Sequence, residues 1–232
     1  FVLSVYEDWP DLKGTNVRDY IEYAKSSKKV TRKSNGDTVE ALKTHQRPEL
    51  SKRKQSMNDG SNAVWWYEIL DKNYSRLLLP KSCGYGFRVM LSSELVPVDN
   101  NLYCFVFDED PSEEELVGMA LYMNSTIVAL LRELYGRSNL GQGGLKTEGV
   151  DWARMPIPDT DTLTEIANSY GDTSDLFSRK IEKIWDEVDK EDKERLDQVV
   201  FEEIGIDPSL VEELQQRTVE LVQARKKRAN SK

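Results

Sequence analysis

Apolar residues are sparse in the first quarter of the chain, and beyond it they recur with two different periods. Val17, Tyr20, Ile21 and Ala24 fall on one face behind Thr15, which predicts a short helix over 17–24 with Thr15 as its N-cap. From 25 to about 61 the chain is rich in Ser, Lys, Asn, Gly and Gln with no apolar period, and it reads as a long mobile loop. Short apolar segments at 63–70, 76–80, 85–92, 95–98 and 102–108 follow, punctuated by Pro80, Gly84, Gly86, Pro97 and Asn100-Asn101. Short strands separated by turn signals predict a mainly antiparallel sheet.

The period then changes to that of a helix. Ser112 and Glu115 have the spacing of a capping box, which opens a long helix to about 135. Leu116, Met119, Ala120, Met123, Ile127, Leu130, Leu131 and Leu134 keep helical spacing along it, so this helix should cover one face of the sheet. Gly136 reads as its stop, Gly141, Gly143 and Gly144 give a permissive loop, and 145–155 reads as extended before Pro156-Ile157-Pro158. Helical spacing returns at 174–187, 190–204 and 208–229, with acidic outer faces. The expected class is α+β, a mainly antiparallel sheet with a long covering helix and a C-terminal helical segment. The expected domains are an α+β domain over 1–158 and a helical segment packing on it over 159–232.

A hydrophobic content of 38% and a charged content of 31% fit a folded chain. No apolar run reaches the length of a membrane span, and the opening lacks the pattern of a signal peptide, so a cytoplasmic protein without a membrane partner is expected. Phe1 in place of Met suggests a piece of a longer protein. Cys83 and Cys104 lack metal-ligand spacing, and the single histidine, His45, lies in a polar stretch, which argues against zinc and against a histidine-based triad.

Charge changes the picture most. The chain carries a net −9, yet between Lys13 and Arg88 sixteen Lys and Arg face eight Asp and Glu, leaving the remainder strongly acidic. A nucleic-acid surface needs local positive potential rather than a basic whole, so the front half qualifies where the whole does not.

Three blocks in order carry a family likeness. The first is RPELSKRK at 47–54 followed by Trp65-Trp66-Tyr67. The second runs from Leu121-Tyr122-Met123-Asn124-Ser125-Thr126 through Gly136-Arg137-Ser138-Asn139-Leu140-Gly141-Gln142-Gly143-Gly144-Leu145-Lys146 to Met155-Pro156-Ile157-Pro158. The third holds Arg195-Leu196-Asp197, Phe201, Ile204-Gly205-Ile206, Glu220-Leu221-Val222 and Arg225. Together they resemble the C-terminal target-recognition region of TaqI-like, gamma-class adenine-N6 DNA methyltransferases of restriction-modification or phage-defence systems. The resemblance implies a fragment that holds and reads double-stranded DNA beside an N-terminal catalytic domain of the parent chain, which would bind S-adenosylmethionine. The family's Asn-Pro-Pro-Tyr-type motif is missing here, and Gly84-Tyr85-Gly86 falls short of a nucleotide fingerprint, so no catalytic or cofactor residue is expected in this fragment.

Candidate DNA-binding residues follow from side-chain chemistry. Lys52, Arg53, Lys54 and Lys146 suit phosphates, and Arg47, Arg88, Arg137, Asn139 and Gln142 suit base edges. Trp66 is the expected exposed member of its aromatic cluster, placed to stack on a base. Two other readings remain open: a protein-interaction module docking through the acidic helices, and a metal-dependent nuclease using Asp159 with Glu191-Asp192-Lys193.

Overall fold

The computed structural model describes residues 9–26, 30–32, 38–40, 73–138 and 143–231. The chain divides into two compact units, 1–72 and 73–232, so the C-terminal helices belong to the same unit as the larger sheet.

In the first unit, helix α1 (Asn16–Ser26) buries Ile21 against Leu12, with Trp9, Val17 and Ala24 packed around them. Thr15 caps it as expected, its Oγ1 accepting from the Arg18 amide at 3.3 Å while donating to the Leu12 carbonyl at 2.7 Å. Strands β1 (Val30–Arg32) and β2 (Thr38–Glu40) pair antiparallel inside the stretch read as loop. The overlooked signal is Asn35-Gly36 between two segments containing β-branched residues, a hairpin cue that the surrounding lysines and serines dilute. The predicted strand over 63–70 lies outside the described residues.

The second unit is α+β, with an antiparallel sheet of order β5-β3-β6, where β3 is Tyr74–Pro80, β5 is Met90–Pro97 and β6 is Leu102–Cys104. A two-residue strand β4 (Ser82–Cys83) pairs instead with β7 (Leu145–Lys146). Alternation along β3 sends Ser75, Leu77 and Leu79 to the buried face. There they meet α2 (Glu113–Met123), whose start is fixed by the capping box: Glu115 N donates to Ser112 Oγ at 3.1 Å, and Ser112 N donates to Glu115 Oε2 at 2.6 Å.

Beyond its first turn α2 is buried nearly all round, because the sheet lies on one side and two further helices on the other. These are α5 (Thr160–Tyr170), contributing Leu163, Ile166 and Tyr170, and α8 (Glu191–Glu203), contributing Leu196 and Val200. Each such aliphatic side chain contributes about 1.5–3 kcal/mol by leaving water. The α2–α5 crossing is tight at Gly118, where an added Cβ would sit 1.9 Å from the Leu163 carbonyl oxygen. Tyr122 donates to the Pro156 carbonyl at 2.7 Å, and burial pushes its phenol pKa up to about 12.

Beyond the sheet, three predicted elements come out differently and one helix is additional. The long helix over 112–135 is two helices, α2 and α3 (Thr126–Tyr135), bent by 58° at Asn124-Ser125. Asn124 causes the elbow by acting as a neighbouring strand: its Oδ1 accepts from Val89 N and its Nδ2 donates to Val89 O, both at 2.9 Å. The stretch 145–155 is only briefly extended, turning at once into α4 (Gly149–Trp152). Helix α5 is additional, opened by Asp159 accepting from Thr162 N at 2.9 Å. The single helix expected over 174–187 is α6 (Ser174–Ser178) and α7 (Ile184–Glu187), separated where Arg179 turns inward to Glu187 and Asp192. A 3₁₀ turn at Pro208–Leu210 leads into α9 (Val211–Asn230), close to the expected 208–229. No single helix among the described residues is long and apolar enough to cross a membrane.

Candidate nucleic-acid interface

The site grows out of the end of α3. Gly136 N donates to the Arg132 carbonyl at 2.8 Å and closes the helix in extended backbone, after which Arg137 meets Lys146. The two residues exchange both main-chain hydrogen bonds, Arg137 N to Lys146 O at 2.8 Å and Lys146 N to Arg137 O at 2.9 Å. A ring of backbone therefore closes around the glycine-rich segment, and pairing of β7 with β4 ties it to the sheet unit.

Gly143, just ahead of β7, is anchored by a residue that pattern reading offers no reason to bury. Arg225 of α9 donates to the carbonyls of Gly143 and Gly84, the latter at 3.1 Å, while its Nε and Nη2 bind both oxygens of Glu133 at 3.0 and 2.8 Å. Gly143 sits at φ 73°, and a Cβ there would lie 2.2 Å from the Tyr85 hydroxyl, so both backbone sign and space call for glycine.

Side chains at the ring's base are cationic and accessible. The Arg137 side chain is 54% exposed and reaches Asp151 only at 3.7 Å. Lys146 pairs with Glu148 at 2.5 Å, and that contact raises the lysine's pKa. The Lys146 hydrogen bond, followed by that of the Tyr103 hydroxyl at 3.0 Å, holds Glu148 below the usual carboxylate range. Lys81 is the neighbour that sequence reading missed: its carbonyl accepts from Thr147 N at 2.9 Å, and its ammonium lies 4.6 Å from the Tyr103 ring centroid. Arg137, Lys146 and Lys81 thus gather around β7, although they are far apart in sequence.

Arg88 goes elsewhere. Its guanidinium donates to the carbonyls of Leu176 and Arg179 and to Glu187 Oε1 at 3.2 Å, and burial lowers its pKa. The expectation that this side chain offers its donors to a base edge is not met, because they hold α6 and α7 against the segment leading into β5. Glu187 completes that knot. Burial acts to raise its pKa, but hydrogen bonds from Arg179 and the Glu182 amide, with the charges of Arg179 and Arg88, outweigh it and keep the carboxylate low. Arg47, Lys52, Arg53, Lys54, Trp66, Asn139 and Gln142 lie outside the described residues.

Three of the four groups weighed as a nuclease centre are separately employed. Asp159 caps α5, Asp192 binds Arg179 at 2.6 Å, and Lys193 is sealed against Asp197 at 2.7 Å. Among the described residues no group of three or more His, Cys, Asp or Glu is placed to hold a metal ion. A Cβ on Gly86 would meet the Glu182 carbonyl oxygen at 2.4 Å, so this glycine serves the chain's own packing. Comparison with protein-family models, with curated proteins and with solved structures gives no match to this chain.

Proposed function

We propose that this chain is the DNA-reading part of an adenine-N6 DNA methyltransferase of the TaqI-like gamma class, acting on duplex DNA in the cytoplasm. The observation that carries the reading is the Arg137–Lys146 closure. It holds the exposed Arg137 guanidinium and Lys146 together beside Lys81, close to Gly143, whose carbonyl a buried arginine anchors. Cationic side chains fixed at this bridge offer phosphates ammonium groups and offer base edges a planar fork. In this reading S-adenosylmethionine and methyl transfer belong to a catalytic domain of the parent protein, which is this chain's second partner.

The test is binding of a labelled duplex by fluorescence anisotropy across a salt series. Wild type should bind with a steep inverse salt dependence, losing roughly 0.9 log unit of affinity per phosphate contact for each decade of salt. Arg137→Ala should weaken binding by about 1–3 kcal/mol and relax site preference, and Lys146→Ala should lower the salt slope by about one without changing preference. A complex indifferent to salt, or no duplex binding at low salt, overturns the reading.

A further inference from the structure

We propose that the C-terminal end of α9, together with the turn before α7, forms a second nucleic-acid contact that grips phosphates beside a stacking ring. The inference rests on the DNA-binding reading above and extends it to residues outside the 137–146 segment.

Four consecutive cations, Arg225 to Arg228, end this helix, and they have different fates. Arg225 is neutralised by Glu133 and buried. Lys226 lies 4.7 Å from the centroid of the Trp185 ring and 5.8 Å from that of Tyr85, and the two rings are 5.6 Å apart at 41°. Lys183, from a different element, approaches Trp185 from 5.8 Å. Trp185, Gln223, Lys226, Lys227 and Asn230 line an open groove of about 280 Å³. Among the described residues no carboxylate is within ion-pair distance of Lys183, Lys226, Lys227 or Arg228.

The helix dipole does not account for this arrangement. It favours cations in the last turn, which covers Lys227 and Arg228, but Lys183 stands at the N-cap of α7, where a positive charge is disfavoured. What unites Lys183, Lys226 and Lys227 is the partly buried Trp185, whose ring the first two approach and whose groove the third lines. An aromatic face flanked by ammonium groups suits one partner chemistry in particular, a strand whose phosphates meet the lysines while an accessible base stacks on the ring. The groove lies near the first interface, since Arg225, next to Lys226, holds Gly143, and Tyr85, which packs on Trp185, lies against that same glycine.

The experiment compares the intact chain with a Lys226→Gln, Lys227→Gln double variant, using the labelled duplex and a single-stranded oligonucleotide. Circular dichroism verifies the fold, and a Lys226→Arg, Lys227→Arg variant restores the charge. The double glutamine variant should reduce the slope of log affinity against log salt by about 1.5–2 and leave site preference unchanged, with recovery in the arginine variant. Unchanged affinity and slope, in a chain that binds the duplex, overturn this second contact and leave the first reading standing. Loss of slope here, with Arg137→Ala and Lys146→Ala silent, supports the second contact and removes the first site. Binding to polyglutamate or to phosphatidylserine vesicles through these lysines, without nucleic-acid binding, overturns it in favour of another polyanion.

Discussion

Arg225 and Glu133 form a two-bond fork between α9 and α3, at 3.0 and 2.8 Å, with the arginine side chain 3% exposed and the glutamate 8%. The same guanidinium holds the carbonyls of Gly143 and Gly84, so one side chain joins two helices and the turns beside β7 and β4. Removing it leaves a buried carboxylate without its cation. Arg225→Ala should therefore destabilise the chain by about 3–5 kcal/mol in urea unfolding, and Arg225→Lys, which keeps the charge but loses the fork, should recover only part of that. A loss below about 1 kcal/mol in the alanine variant would show that the fork contributes little.

Two serines stand at the N-caps of successive helices and should respond oppositely. Ser112 caps α2 with its side chain, so Ser112→Ala should cost about 1 kcal/mol. Ser125 precedes α3 with a buried hydroxyl that has no hydrogen-bond partner, while Asp197 accepts from the Thr126 amide at 2.7 Å. Replacing an unsatisfied buried hydroxyl removes a cost, so Ser125→Ala should leave stability unchanged or raise it. Matched thermal melts of the two variants decide the point.

Gly118 sets the distance between α2 and α5. Any side chain there runs into backbone, which cannot turn aside as a flexible side chain would. Gly118→Ala should cost about 1–3 kcal/mol by overpacking, against the small gain in helix propensity that an exposed position would show. A neutral or stabilised melt would mean that the two helices separate freely.

Acid should loosen the knot around Arg179. Glu187 and Asp192 have pKa values held below their ordinary 4.5 and 3.8 despite burial, mainly by the Arg179 hydrogen bonds. A carboxylate depressed on folding contributes stability that is present above its unfolded pKa and is lost as pH falls through the folded one. The unfolding midpoint should accordingly drop in the acid range below those ordinary values, and Glu187→Gln should flatten that limb while lowering stability at neutral pH. An acid limb equally steep in the variant would assign the pH dependence to other groups.

The larger sheet, the α2 capping box and the C-terminal helix were legible because each rests on local rules: alternation on β3, Ser112 with Glu115, and Pro208 at a helix start. The elbow at Asn124 was not, since Met123 and Ile127 keep an unbroken helical interval across it while the cause is a hydrogen-bonded pair with Val89, far back in the sequence. Helix α5 had its own signal, Asp159 followed by Leu163, Ile166, Ala167 and Tyr170, which the preceding prolines overshadowed. The predicted covering face also ran one turn too far, for Leu134 is 60% exposed while Arg132 beside it is 1% exposed. Pattern reading treats every charge as surface. It therefore cannot anticipate Arg132 stacked 3.4 Å from the Phe87 ring centroid, Lys193 sealed against Asp197, or Arg225 turned inward. The gathering of Arg137, Lys146 and Lys81 was half visible, since the first two lie in one motif and the third enters only through tertiary pairing.

The amide of Asn124 occupies both main-chain groups of Val89, immediately ahead of the outer strand β5. An outer strand with free N–H and C=O groups invites another chain to continue the sheet, and aggregation commonly starts there. Here a single side chain, delivered by a bend in the covering helix, occupies the first rung, so the break that interrupts the helix also guards one end of the sheet against unwanted extension.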